Sequence, residues 1–293
     1  MKKLTLLLTL STLTLFSASA PAPAPAPANA PSFGVQVTGK GRPVILIPGL
    51  ASGAATWDTT VAHLKGRFEC HVLTLAGFAG QPPLANRGDA PFLDTVRRDI
   101  ITYIRSQKLA KPVIIGHSLG GAMALWLGET EPDLVGELVI VDSAPFLPEL
   151  MMPGATAESM KPMANAMREQ ITAAKPGSQD EYLKTMAHSK DDVARIVEWS
   201  RKSDASTVAA AMMELYTNDL RPALGQIKSR VLALSAWSAY KEYTSRQRVF
   251  DNLTKQYSGV AKLTFDLHDE AWHFMMFDEP TWFLAQLDKF LAQ

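Results

Sequence analysis

The chain has 293 residues, 47% of them hydrophobic, and its 29 basic and 29 acidic side chains give a formal net charge of zero. This length suits one large domain with a single core. The balanced charge, without any basic run, argues against nucleic acid as a partner. The sequence also lacks an H-E-x-x-H motif and a paired C-x-x-C motif, so we expect neither a metal nor a cofactor.

The N-terminus is typical of a signal peptide. A lysine pair precedes the apolar stretch Leu4–Phe16, which is too short for a stable membrane span, and small residues follow it. We expect cleavage after Ala20, or as late as Ala28, and therefore a secreted or periplasmic protein with no retained span; a retained anchor is the alternative. The segment Pro21–Pro31 is rich in Pro and Ala, which predicts an extended spacer.

From residue 32 onward, short apolar runs alternate with longer helical stretches. The runs are mostly β-branched and continuous, which is typical of parallel strands buried on both faces. We predict strands at Val35–Thr38, Val44–Ile47, Cys70–Leu75, Val113–Ile115, Leu138–Val141, Val231–Leu234 and Leu263–Leu267. We predict helices at Ala54–Lys65, Leu93–Gln107, Leu119–Glu129, Ser245–Tyr257 and Thr281–Leu291. This alternation indicates an α/β fold with a doubly wound, mostly parallel sheet, whose active site lies at the carboxyl ends of the strands.

One region interrupts the alternation. From about residue 146 to residue 225 the sequence has helical segments separated by prolines and no strand, which we interpret as a helical cap insertion. The flexible thioethers of its methionines suit an adaptable apolar pocket wall, although for any single methionine ordinary helix core is the first interpretation. These methionines are Met151, Met152, Met160, Met163, Met167, Met186, Met212 and Met213.

The segment that is most informative about the chemistry of the protein is Gly116-His117-Ser118-Leu119-Gly120-Gly121. It places a serine in a G-x-S-x-G frame between a β-branched run and a helix-forming run, the pattern of a nucleophile elbow. Side chains at Gly116 and Gly120 would collide across such a tight turn, and the N-terminus of the following helix favours a developing negative charge. We therefore predict that Ser118 is a nucleophile.

A serine hydroxyl needs a neighbouring base. We assign this role to His273, because it follows the last predicted strand and precedes the last helix. His117 adjoins the serine in sequence but should point away from it. An oxyanion hole needs two backbone N–H donors. We assign them to Leu119, which follows the nucleophile, and to Leu50, in the loop Ile47-Pro48-Gly49-Leu50-Ala51.

With these motifs, the chain from about Phe33 to Leu291 resembles a capped α/β-hydrolase. The resemblance implies a Ser-His-acid triad and ester-like substrates. A serine nucleophile disfavours the epoxide hydrolases and haloalkane dehalogenases of this fold, which use aspartate. Four segments carry the likeness in order: Ile47-Pro48-Gly49-Leu50, Gly77-Phe78-Ala79-Gly80, the elbow itself and the segment around His273.

The chain departs from the family pattern at the acid. The family usually places a carboxylate after the penultimate strand, where this chain reads Ser235-Ala236-Trp237-Ser238-Ala239-Tyr240. Asp142, which ends the strand after the nucleophile helix, is our first candidate for holding the imidazole tautomer. Asp269 and Asp266 would reach His273 only if their loop folds back, and Ser238 or a water molecule is the remaining substitute.

The function we expect is that of an exported, carboxylesterase-like serine hydrolase. It would cleave small-molecule esters, or thioesters or lactones, with an apolar acyl group through an acyl-enzyme intermediate, as a monomer or homodimer. A carbon–carbon bond hydrolase with the same triad is one alternative, and a slow or non-catalytic ligand-binding sensor is another, motivated by the missing carboxylate. The composition of the cap leads us to expect a preference for medium-length acyl chains.

Overall fold

A computed structural model describes residues 31–85, 90–238, 241–242 and 244–292. The predicted signal peptide and almost all of the predicted spacer lie outside these residues. The strands form one seven-stranded sheet in the order β1-β3-β2-β4-β5-β6-β7. They are β1 (Phe33–Gly39), β2 (Arg42–Ile47), β3 (Phe68–Leu75), β4 (Val113–His117), β5 (Leu138–Val141), β6 (Val231–Ala236) and β7 (Leu263–His268). β1 pairs with β3 in the antiparallel sense, and the other neighbouring pairs are parallel.

Helices cover both faces of this sheet. They are α1 (Asp58–Leu64), α2 (Phe92–Ser106), α3 (Leu119–Thr130), α4 (Pro148–Met151), α5 (Ala157–Ala173), α6 (Asp180–Leu183), α7 (Lys190–Arg201), α8 (Ala205–Thr217), α9 (Arg246–Gln256), α10 (Met275–Asp278) and α11 (Pro280–Leu291). Two short 3₁₀ helices span Ala54–Trp57 and Arg221–Gln226. The first predicted helix therefore starts as a 3₁₀ turn and becomes α-helical only at Asp58.

Alternation along the strands explains the two-sided packing. In β2, Ile45 and Ile47 enter one core cluster, with side chains from α2, α3 and α9. Val44 and Leu46 enter the other, with side chains from α1 and α11. Because both faces are covered, the strand needs apolar residues at every position, which is the continuous pattern seen in the sequence. The predicted α/β fold with a doubly wound, mostly parallel sheet is confirmed.

The segment between β5 and β6 contains helices α4 to α8 and a 3₁₀ helix, and no strand. Each of its longer helices begins at a residue whose side chain accepts a backbone N–H of the first turn: Thr156 for α5, Ser189 for α7 and Asp204 for α8. Such caps replace hydrogen bonds that the first helical turn lacks. The division into a core and a cap at residues 146–225 stays an interpretation.

This helical segment is tied to the sheet-bearing part of the chain. The Glu214 carboxylate on α8 accepts the backbone N–H groups of Phe92 and Leu93, at 2.6 and 2.9 Å, and so caps the start of α2. The N–H of Asp204 donates to the Gly77 carbonyl at 2.7 Å. In the described part of the chain no helix is both long and apolar enough to span a bilayer.

Candidate active site

Ser118 occupies a strained turn between β4 and α3. Its φ is +53° and its ψ is −118°, in a region that residues with a side chain rarely adopt. The turn closes only without side chains at its neighbours. A Cβ at Gly116 would lie 2.0 Å from the Gly120 carbonyl oxygen, and one at Gly120 would lie 2.2 Å from the Ile47 carbonyl oxygen. The Ser118 N–H donates to Val141 of β5 at 2.9 Å, which fixes the turn to the sheet.

His273 lies in the loop between β7 and α10, and its ring meets Asp142. His273 Nδ1 is 2.6 Å from Asp142 Oδ2. The other carboxylate oxygen accepts the N–H of Ala236, at the end of β6, at 2.8 Å. Asp142 has a φ of +45°, and its own N–H donates to the Leu234 carbonyl at 2.7 Å. The carboxylate is therefore held by two strand ends and directed at the imidazole.

The other candidates for the acid lie elsewhere. Asp269 pairs with Arg246, and this hydrogen bond holds the pKa of the Asp269 carboxyl below its usual value. Asp266 Oδ1 accepts the N–H of Leu267 at 2.9 Å. Of the four residues weighed from the sequence, all within the described ranges, only Asp142 forms a hydrogen bond with His273; Ser238 does not.

His117 faces the backbone of the histidine loop rather than the serine. Its Nε2 is 2.9 Å from the His273 carbonyl oxygen, and its ring centroid lies 4.5 Å from that of Phe274. The side chain is fully buried. Burial first, and the nearby His273 second, lower the pKa of His117 well below its usual value. The ring is therefore neutral, and because a carbonyl only accepts, Nε2 carries the proton.

Two further hydrogen bonds hold the same loop. The N–H of Trp272 donates to Asp278 Oδ2 at 2.8 Å, and that of Phe274 donates to the Met186 carbonyl at 3.1 Å. Asp278 Oδ1 also accepts the N–H of His188, between α6 and α7, at 2.8 Å. Three consecutive residues around His273 are thus fixed from three directions. Sequence reasoning missed Asp278 and this part of the helical segment, since no motif marks contacts between backbone groups.

The loop after β2 passes directly over the elbow. A Cβ at Gly49 would lie 2.9 Å from His117 Nδ1 and 3.2 Å from Ser118 Cβ, so this residue must be glycine for the loop to approach so closely. The next residue, Leu50, and Leu119 at the start of α3 carry the two backbone N–H groups singled out in the sequence. Neither N–H donates to any residue that the structure describes. Leu119 lines the cavity that contains Ser118 and Leu50 does not, so their role as oxyanion donors stays a prediction.

Ser118, Asp142 and His273 line one cavity. Its wall is mainly aliphatic, with leucines from both the core helices and the segment between β5 and β6: Leu93, Leu119, Leu147, Leu150, Leu215 and Leu220. None of the eight methionines of that segment lines this cavity, so they do not form its wall. Met160 is buried in a small separate cluster, while Met151 and Met163 are exposed. Within the described residues, no three His, Cys, Asp or Glu side chains are grouped as metal ligands.

Comparison with known sequences identifies the family of this chain. A model of the alpha/beta hydrolase family matches residues 44–286. The chain belongs to the alpha/beta hydrolase family. This confirms the resemblance inferred from the sequence motifs.

Among curated relatives, this alpha/beta hydrolase is similar to the pimeloyl-[acyl-carrier protein] methyl ester esterase of Nitrosomonas europaea. The two are 27% identical over 212 residues, which cover 69% of this chain and 79% of the relative. The protein of the same name from Aliivibrio salmonicida is 26% identical over 196 residues, covering 66% and 72% of the two chains. Relatives that are esterases support a hydrolase activity for this chain.

Solved structures share its fold at low identity. A hydrolase from Pseudomonas aeruginosa PA01 superimposes with a TM-score of 0.74 at 16% identity, covering 89% of this chain and 94% of the other. An esterase from Exiguobacterium antarcticum gives a TM-score of 0.74 at 18% identity, covering 89% and 96%. At such identities the likeness establishes the fold alone.

Proposed function

We propose that this alpha/beta hydrolase is an exported serine hydrolase that cleaves carboxylic esters with an apolar acyl group. The observation that carries the proposal is the 2.6 Å contact between His273 Nδ1 and Asp142 Oδ2. This contact fixes the proton on Nδ1 and leaves Nε2 as a base, in the same cavity as Ser118. The strained serine turn and the esterase names of the relatives support the same reading.

The reaction follows from these positions. His273 Nε2 takes the proton of the Ser118 hydroxyl while the oxygen attacks the ester carbonyl carbon. The carbonyl oxygen becomes an oxyanion, which the N–H groups of Leu50 and Leu119 stabilise together with the N-terminus of α3. The imidazolium then protonates the leaving alkoxide, and an acyl-enzyme remains. Water, deprotonated by the same nitrogen, attacks the acyl-enzyme, releases the carboxylic acid and restores Ser118.

Asp142 takes the acid's role from an unusual strand. β5 and β6 are neighbours in the sheet. A carboxylate that follows β5 instead of β6 therefore starts from a backbone position only about 5 Å away, which is the spacing between neighbouring strands. The place that the family usually gives to the acid is used here by the Ala236 N–H, which donates to Asp142. The missing carboxylate after β6 therefore does not favour the non-catalytic sensor.

Export is the part of the proposal that rests on the sequence alone. The lysine pair and the apolar stretch at residues 4–16 support it. Expression of the full chain in a Gram-negative host, followed by fractionation and N-terminal sequencing, tests it. We expect a processed protein outside the cytoplasm that begins after Ala20 or after Ala28. An unprocessed chain in the cytoplasm would contradict export.

The catalytic part is tested with p-nitrophenyl hexanoate and the purified mature protein. Ser118→Ala should lower kcat by about a thousandfold or more, because residues of such a triad act as a unit. Ser258→Ala, which changes an exposed serine in the turn after α9, should retain wild-type turnover. Equal activity of Ser118→Ala and the wild type, or no turnover of any ester by the wild type, would refute the proposal and favour the sensor.

A further inference from the structure

The cavity follows one face of α3 away from the nucleophile. Four residues of this helix line it, at the spacings i, i+3, i+4 and i+7 that share a face: Leu119, Ala122, Met123 and Trp126. With a rise of 1.5 Å per residue, this face extends for about 10 Å from the first residue to the last. An acyl group attached to Ser118 therefore has an apolar track along α3.

Trp126 closes the far end of this track. The residues of the next turn of α3 do not line the cavity, and on α2 Leu93 lines it while Arg97, one turn further on, does not. The Arg97 guanidinium lies 5.0 Å from the centroid of the Trp126 ring. It is held there by Asp94 Oδ1 at 2.7 Å and by Thr130 Oγ1 at 3.3 Å. An anchored cation over the ring keeps the indole in place as a floor.

The walls beside the track offer no positive charge to a carboxylate at the end of the acyl chain. Leu150, Leu215 and Leu253 also line the cavity. The Glu214 carboxylate also reaches the cavity, but it is occupied by the N–H groups that it caps on α2. No Lys or Arg is among the described residues that line the cavity. A terminal carboxylate on the acyl chain would therefore be desolvated without a cationic partner.

The length of the track sets the length of the acyl chain. A straight alkyl chain advances by about 1.3 Å per carbon, so the track of about 10 Å takes about eight carbons.

We propose that the cavity selects straight, uncharged acyl chains of about six to eight carbons, and that Trp126 sets this upper limit. The inference rests on the proposed ester hydrolysis and adds the substrate class to it. Trp126 determines chain length by filling the space into which a ninth or tenth carbon would extend. The half-esters of dicarboxylic acids of the same length are excluded by their charged end.

The experiment compares kcat/KM for p-nitrophenyl esters from acetate to palmitate. The wild type should prefer hexanoate and octanoate and lose about tenfold or more by dodecanoate. In Trp126→Ala the optimum should move to decanoate or dodecanoate. Trp282→Ala removes a partly buried indole that packs on His268 and lines no part of the cavity, and its optimum should not move. The p-nitrophenyl half-ester of suberic acid should react about tenfold or more slowly than the octanoate.

Three results would overturn the inference. They are an optimum that does not move in Trp126→Ala, wild-type rates that rise up to palmitate, and equal rates for the half-ester and the octanoate. Ala122→Phe provides a variant in the opposite direction, because it adds bulk one turn closer to Ser118. It should move the optimum to butyrate or acetate, and it carries the test if Trp126→Ala does not fold.

A binding measurement separates this inference from the proposed function. Calorimetric titration of Ser118→Ala with straight-chain fatty acids measures the track without turnover. Tightest binding at octanoate, moved to longer acids by a second change at Trp126, would support the track even if no ester were hydrolysed. Ester hydrolysis that depends on Ser118, combined with binding that is indifferent to chain length, would leave the function standing and refute the inference.

Discussion

At the scale of single residues, the site depends on side chains that hold His273 from both ends. Asp142 binds the ring at Nδ1, and His117 donates to the carbonyl of the same residue. If only the contact with Asp142 held the ring, the ring would still tilt whenever its loop moved. Because the backbone of His273 is held as well, Nε2 keeps one orientation, which a base needs in order to contact Ser118.

The carboxylate of Asp142 orients the imidazole, so Asp142→Asn should be far more damaging than its change in size suggests. The amide would donate to Nδ1, move the ring proton to Nε2 and remove the base. We expect kcat for p-nitrophenyl hexanoate to fall by about a thousand- to ten-thousandfold. Asp269→Asn is the matched control, because that exposed residue pairs with Arg246, and it should keep wild-type turnover. A large loss in Asp269→Asn with a small one in Asp142→Asn would reverse the assignment.

His117 is a positioning residue that acts through the backbone of His273. His117→Ala leaves that carbonyl without its donor, and we expect kcat to fall about ten- to a hundredfold while KM changes little. His117→Gln offers an amide N–H and should restore most of kcat. The readout is steady-state kinetics at pH 8, with the exposed His63→Ala as a control. Equal losses in the Ala and Gln variants, or a change confined to KM, would contradict this role.

At the scale of elements, α3 serves three purposes. Its N-terminus follows Ser118, its middle forms one wall of the cavity, and its last turn carries Glu129 in an environment that is unfavourable for a carboxylate. Glu129 Oε2 is buried without a hydrogen-bond partner among the described residues. Burial raises the pKa of this carboxyl to about 7, against a smaller lowering by Arg97. The C-terminal end of a helix dipole is also unfavourable for a negative charge.

Glu129 therefore makes stability fall as the pH rises. Its pKa in the folded chain is raised above its unfolded value, so its stabilising contribution is complete below about pH 4.5 and is lost as the pH rises through about 7. Glu129→Gln should match the wild type at pH 5 and exceed it at pH 8 by a free energy of unfolding on the order of 1 kcal/mol. Urea titrations at the two pH values measure this. An equal difference at both pH values would show that burial of the charge is not the cause.

At the scale of the whole molecule, the sheet brings the site together at one edge. Ser118 follows β4, Asp142 follows β5, Ala236 ends β6 and His273 follows β7. These strands lie side by side in that order. Parallel strands end at the same edge, so residues spread over more than 150 positions of the chain meet in one cavity. The helical segment after β5 closes the cavity from the other side.

The sequence predicts local features well because each depends on neighbours along the chain. Continuous apolar runs predict the buried strands, and the glycines around Ser118 predict the elbow. The pairing of Asp142 with His273 depends on which strands are neighbours, and no local pattern contains that information. The methionines of the helical segment show a second limit of prediction from sequence. Composition indicates an apolar region, but side-chain direction decides whether a residue lines a cavity, and leucines do so here.

The most direct test of the central claim is to trap the acyl-enzyme. The mature protein is mixed with p-nitrophenyl octanoate and quenched in acid within one turnover, and the intact mass and the peptide map are then measured. The mechanism predicts one octanoyl group on Ser118 of the wild type and none in Ser118→Ala. In Asp142→Asn the octanoyl group accumulates further if deacylation is slowed more than acylation. An octanoyl group on another residue, or full turnover by Ser118→Ala, would contradict it.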